Sequence, residues 1–124
     1  DHKLTSILDE GSKLVQDQKL YKAIEVFTKA IELDPNWAEA WNKRATVLYL
    51  MGNYDLSQND IDMVLSLEKR HFGALAGQGL VQTALNNYQS AINSYQEVEK
   101  IYPSMQSPKL MIPKLKELIK KQSI

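Results

Sequence analysis

Residues 23–35 read AIEVFTKAIELDP. Small or apolar side chains recur at Ala23, Ile24, Phe27, Ala30 and Ile31, at spacings of three and four that put them on one face of an α-helix. Asp34-Pro35 then ends it, because proline has no N–H with which to continue the helical ladder. The same places recur 34 residues later as Ser57, Ile61 and Val64, with Lys69 at the proline, and again as Ala91, Tyr95, Val98 and Pro103. A fixed period of this length marks stacked helix pairs, each too small to bury its own apolar face alone.

The segment before each of these helices repeats as well. It holds Ile7, Glu10-Gly11 and Leu14, then Trp41, Arg44-Ala45, Leu48, Gly52 and Tyr54, then Leu75 and Gln78-Gly79, with Gln82 at the place of Leu14 and Leu48. The units therefore run over about 4–37, 38–71 and 72–105, in a single domain covering 1–124. Gly11, Ala45 and Gly79 are expected where the two helices of a hairpin approach closely, facing the small Ala23, Ser57 and Ala91. Phe27, Ile61 and Tyr95 are expected to fill the space between hairpins, with Trp41 and Leu75. Gly52-Asn53 and Asn86-Asn87 supply turn and capping chemistry, while Tyr102-Pro103 ends a second helix. No segment alternates with period two, so no sheet is expected.

A last helix over about 107–122 begins with Ser107 as N-cap and Pro108 as first residue, or one turn later with Pro113 first. Leu110 or Met111 joins Leu115, Leu118 and Ile119 in one stripe, and Lys114, Lys116, Glu117, Lys120 and Lys121 lie outside it. Such a helix closes a stack of repeats whose final face would otherwise be bare.

The motifs quoted resemble those of the tetratricopeptide (TPR) family from Leu4 to about Ile119. Ala40–Thr46 and Arg70–Leu75 are also similar to a group of small, largely uncharacterised bacterial TPR proteins. The resemblance implies an all-α, right-handed α-α superhelix of three hairpins plus a capping helix. It also implies a concave groove, lined by first helices, that binds peptides or helices of other proteins. On that geometry the wall is drawn from Leu8, Ser12 and Val15, from Asn42, Lys43, Thr46 and Tyr49, and from Ala76, Leu80 and Thr83. Tyr49 is an aromatic anchor or packs in its own hairpin, and Asn42 can pair with a peptide backbone. TPR co-chaperones grip a C-terminal carboxylate with Lys, Asn, Asn, Lys and Arg. Here those positions are Leu8, Ser12, Lys43, Gly73 and Gly77, so no carboxylate clamp is expected.

Other chemistry finds little support. Lys plus Arg and Asp plus Glu number 15 each, so no long-range field favours nucleic acid or anionic lipid. There is no cysteine, and His2 and His71 are far apart, so neither a metal site nor a cofactor is expected. Asp55, Asp60 and Asp62 lack calcium-loop spacing and read as an exposed acidic face. No nucleophile elbow or phosphate loop occurs, and an enzyme is not expected. Trp37 and Trp41 read as packing between repeats. No apolar run approaches the roughly 20 residues needed to span a bilayer. A soluble, cytoplasmic protein is favoured, with export left open because the chain begins at Asp1 rather than Met. The expected function is a protein-interaction scaffold, monomeric or weakly homo-oligomeric, binding at about micromolar strength, roughly 8 kcal/mol. The alternatives are a self-associating assembly element, or binding to an anionic surface through the C-terminal lysines.

Overall fold

The computed structural model describes residues 2–123. Among them are seven α-helices and no strand: α1 (His2–Gln16), α2 (Leu20–Leu33), α3 (Ala38–Leu50), α4 (Tyr54–Leu67), α5 (Phe72–Ala84), α6 (Tyr88–Ile101) and α7 (Gln106–Gln122). None is long and apolar enough to cross a membrane. The chain divides into two compact units, Asp1–Lys69 and Arg70–Ile124. In the first, α1 packs on α2, α2 on α3 and α3 on α4; in the second, α5 packs on α6 and α6 on α7.

Each hairpin turns on one left-handed residue, and the three lie one repeat apart: Gln18 (φ 59°), Gly52 (φ 81°) and Asn86 (φ 64°). The N–H groups of Gln18, Gly52 and Asn86 donate to the carbonyls of Val15, Tyr49 and Thr83. Those of Lys19, Asn53 and Asn87 reach back to Leu14, Leu48 and Gln82 at 2.8–2.9 Å. This pair of bonds satisfies carbonyls that a helix C-terminus would leave bare. This is the turn and capping chemistry expected of Gly52-Asn53 and Asn86-Asn87, made by the backbone; neither Asn53 nor Asn87 caps the following helix with its side chain. Asn87 Nδ2 instead donates to Gln82 Oε1 at 2.9 Å.

Close approach within a hairpin also involves the large residue of the second helix. A Cβ built on Gly11 would lie 2.3 Å from the Phe27 ring, and one on Gly79 would lie 2.6 Å from the Tyr95 ring. The small residue of the first helix therefore sits under the largest residue of the second. Phe27 and Tyr95, 1% exposed each, act within their own hairpins as well as in the wider core. The middle hairpin has Ala45 and Ile61 in these places, a larger residue with a smaller one, which keeps the combined volume. The small residue at the other expected contact serves the backbone: the buried Ser57 Oγ donates to the Ala45 carbonyl at 2.7 Å.

The core of the first unit joins Leu8, Phe27, Ile31, Ala40 and Val47, with Trp37 and Trp41 packed against it. In the second unit, Leu115 of α7 is fully buried among Ala91, Ile92 and Tyr95, flanked by Met111, Ile112, Leu118 and Ile119. Met111, not Leu110, thus completes the capping stripe, and Leu110 is 70% exposed. Neither expected start of this helix holds. It begins at Gln106 after Met105, so Pro108 is its third residue, where an N–H would be unpaired anyway, and Pro113 lies in its interior. His71 takes the capping role at α5, its Nδ1 accepting from the Ala74 N–H at 3.0 Å.

Two measurements check this account. Gln18→Gly should raise stability by about 0.5–1 kcal/mol in urea unfolding, because glycine alone adopts positive φ without steric cost. Gly79→Ala should instead lower stability by about 1–3 kcal/mol, despite alanine's higher helix propensity, because the buried Tyr95 ring has no room to withdraw.

Candidate functional site

Two first helices of the first unit form a depression of about 200 Å³ lined by Ser12, Val15, Asn42, Lys43 and Thr46, with Phe27 and Val47 below. Ser12 and Val15 are three apart on α1, and Asn42 and Thr46 are four apart on α3, so each pair shares a helix face. The floor is apolar and the rim polar, the ordinary make-up of a site that takes a side chain and holds its backbone. Thr46 Oγ1 donates to the Asn42 carbonyl at 3.1 Å, within its own helix. The hydroxyl oxygen keeps its lone pairs as acceptors, while the Asn42 amide and the Lys43 ammonium can donate.

The remaining residues expected on the wall are distributed otherwise. Leu8 is a correction: it is only 7% exposed and belongs to the core of the first unit, because an apolar side chain one turn before Gly11 faces inward toward Phe27 and Val47. Tyr49 is half-buried and does not line the depression; its ring centroid is 5.7 Å from that of Tyr54, in the same hairpin. Ala76, Leu80 and Thr83 lie on one face of α5 in the second unit. Leu80 is 42% exposed, and Thr83 Oγ1 donates to the Gly79 carbonyl at 2.7 Å. Of the five clamp positions, only Lys43 carries a charge.

The reading of Asp60 as exposed is also overturned. Asp55 and Asp62 face solvent, but Asp60 is 4% exposed and its carboxylate accepts from Arg44 Nε at 2.8 Å and Nη2 at 2.9 Å. Arg44 Nη1 also donates to Thr28 Oγ1 at 3.2 Å, tying α2 to α3 and α4. The guanidinium lies 5.2 Å from the centroid of the Trp41 ring, whose Nε1 donates to the Pro35 carbonyl at 2.8 Å. Hydrogen bonding to Asp60, and that carboxylate's charge, hold the Arg44 guanidinium above its already high range, against the opposing effect of burial. The second unit has a neutral version of this link at the same 16-residue offset, Gln78 Nε2 donating to Ser94 Oγ at 2.8 Å. That shared offset was the sequence signal for the pair, and reading the aspartates as one cluster concealed it.

Above this ion pair lies a larger depression of about 480 Å³, which sequence reasoning did not find. Ile24, Trp41, Leu48, Leu56 and Met63 form its walls, with Asn59 at the edge and the Arg44–Asp60 pair beneath. Among the described residues no group of three His, Cys, Asp or Glu side chains is placed to hold a metal ion.

Comparison with known proteins agrees with this geometry. A family model for the TPR repeat matches residues 11–52. A TPR repeat-containing protein of Rhizobium etli is 36% identical over 98 residues, 79% of this chain and 48% of the relative. RNA polymerase II-associated protein 3 of Xenopus laevis is 26% identical over 72% of this chain and 14% of its own length. The chain thus spans half or less of these curated relatives. Among solved structures, the first TPR of Spaghetti (RPAP3), bound to an HSP90 peptide, superposes with a TM-score of 0.91 at 19% identity, covering 95% of this chain and 94% of that one. The Sgt2 TPR domain from Aspergillus fumigatus gives 0.92 at 17% identity, covering 99% and 83%. The chain is built of tetratricopeptide repeats and has the all-α fold of TPR solenoids.

The ion pair can be tested by a double-mutant cycle in urea. Arg44→Met should cost about 3 kcal/mol by leaving a buried carboxylate unpaired, and Asp60→Leu about 2, since Arg44 keeps some solvent. The double variant should recover more than half of the summed loss.

Proposed function

We propose that the chain is a protein–protein interaction scaffold, working as one interaction domain over residues 1–124, that takes an extended peptide or a helix of a partner along its first helices. What carries the reading is the convergence of Ser12, Val15, Asn42, Lys43 and Thr46 on one depression with an apolar floor and a polar rim. The depression has room for about one ligand side chain. The Asn42 amide is suited to a peptide carbonyl beside it, and the Lys43 ammonium to an acidic neighbour. In the second unit, Ala76, Leu80 and Thr83 give α5 a face of similar mixed character. A similar fold holds a peptide: the second TPR domain of human RPAP3 is solved in complex with an HSP70 peptide, with a TM-score of 0.85 to this chain.

The mode differs from capture of a free C-terminus. A carboxylate clamp needs several cations around one oxygen pair, whereas Leu8, Ser12, Gly73 and Gly77 supply none and Leu8 is buried. The ligand is therefore read along its length, not by its end.

Peptides selected on the protein from a random library test both statements. Calorimetry should give dissociation constants on the order of micromolar, weakened about tenfold or more by Asn42→Ala with Lys43→Ala. Amidating the peptide's C-terminus should change affinity by less than about twofold. Unchanged binding in the double variant would remove the site, and loss on amidation would restore the clamp.

A further inference from the structure

Formal neutrality conceals a division of charge. Residues 1–69 hold eight Lys and Arg against twelve Asp and Glu, and residues 70–124 hold seven against three, so the two units carry −4 and +4. On α4 the three charged residues are all acidic, and the two exposed ones, Asp55 and Asp62, each precede an exposed apolar residue, Leu56 (54%) and Met63 (38%). Gln58 Nε2 donates to Asp62 Oδ1 at 2.9 Å, fixing that carboxylate along the helix. Leu56 and Met63 also wall the larger depression, whose own ion pair is internally neutralised. The result is an apolar recess with two carboxylates on the adjoining flank of α4.

The counterpart lies on α7. That helix carries five lysines against one glutamate, and Leu110, 70% exposed, projects beside Lys109 and one turn before Lys114, both exposed. An apolar side chain beside ammonium groups is complementary in chemistry and in sign to an apolar recess beside carboxylates.

We propose that the occupant of the α2–α4 recess is a second copy of this chain, docked through the Leu110 face of α7. The two surfaces differ, so the contact is heterologous, running from the second unit of one copy to the first unit of the next. Leu110 enters between Leu56 and Met63, while Lys109 and Lys114 meet Asp55 and Asp62. Exposed ion pairs contribute little singly and are screened by salt, so the association is weak and salt-dependent.

Sedimentation equilibrium from about 10 μM to about 1 mM reads it directly, with an expected dissociation constant on the order of 100 μM in low salt. Raising ionic strength from about 0.05 to about 0.5 M should weaken it about tenfold. Leu110→Ser should weaken it with all charges intact. Asp55→Lys with Asp62→Lys, and separately Lys109→Glu with Lys114→Glu, should each leave a monomer. Because their acidic and basic faces are exchanged, mixing these two variants should restore association. All five positions are exposed, and an unchanged circular-dichroism melt checks that each variant is folded. A wild type that stays monomeric, variants that associate like wild type, or a mixture that does not reassociate would each overturn the proposal.

Discussion

The structure depends on how closely two helices of a hairpin can approach, which is set by a residue without a side chain beneath an aromatic ring. With no Cβ at Gly11 or Gly79, the Phe27 and Tyr95 rings lie against the facing backbone and are almost wholly buried. Burial of such a ring removes a large apolar surface from water, worth about 1.5–3 kcal/mol for a side chain of this kind. The turn residues, the apolar stripes and the position of the following helix all presuppose that spacing. The middle hairpin meets the same constraint with different volumes, Ala45 and Ile61, and adds the Ser57 hydroxyl bond to the Ala45 carbonyl.

On that frame the repeats differ chiefly in polar chemistry. One residue before the close contact, the middle hairpin carries Arg44 paired with Asp60, and the third carries Gln78 bonded to Ser94. A half-buried guanidinium with a bidentate carboxylate, a threonine and an indole around it has its orientation fixed by three partners. Such a link holds helices in register more than it adds net stability, since desolvating both charges offsets much of their attraction. It also leaves the surface above it electrically quiet, and the apolar side chains there set its character.

The fold was legible because it rests on period: a 34-residue spacing of small, bulky and proline positions survives many local substitutions. Five of the residues assigned to the wall share one depression because the spacing of three and four along α1 and α3 fixes their faces. What period could not supply was the direction of packing across a hairpin. Leu8 faces the core and not the wall, Gly11 lies under the Phe27 ring, and Asp60 belongs with Arg44 and not with its sequence neighbours. For Gly11 and Asp60 the decisive contact lies 16 residues away along the chain, on the other helix of the hairpin. The start of α7 was missed for another reason: two prolines each offered a plausible first residue, and the helix tolerates one in its first turn and the other in its interior.

Both tryptophans, Trp37 and Trp41, belong to the first unit, packed against its core, and the second unit has none. Intrinsic indole emission is therefore a private signal of the junction between α2 and α3, while far-ultraviolet ellipticity sums over all seven helices. Two spectroscopic curves from one unlabelled sample thus read different parts of the molecule. Their coincidence or separation along a denaturant axis is a direct measure of how far unfolding of one unit is coupled to that of the other.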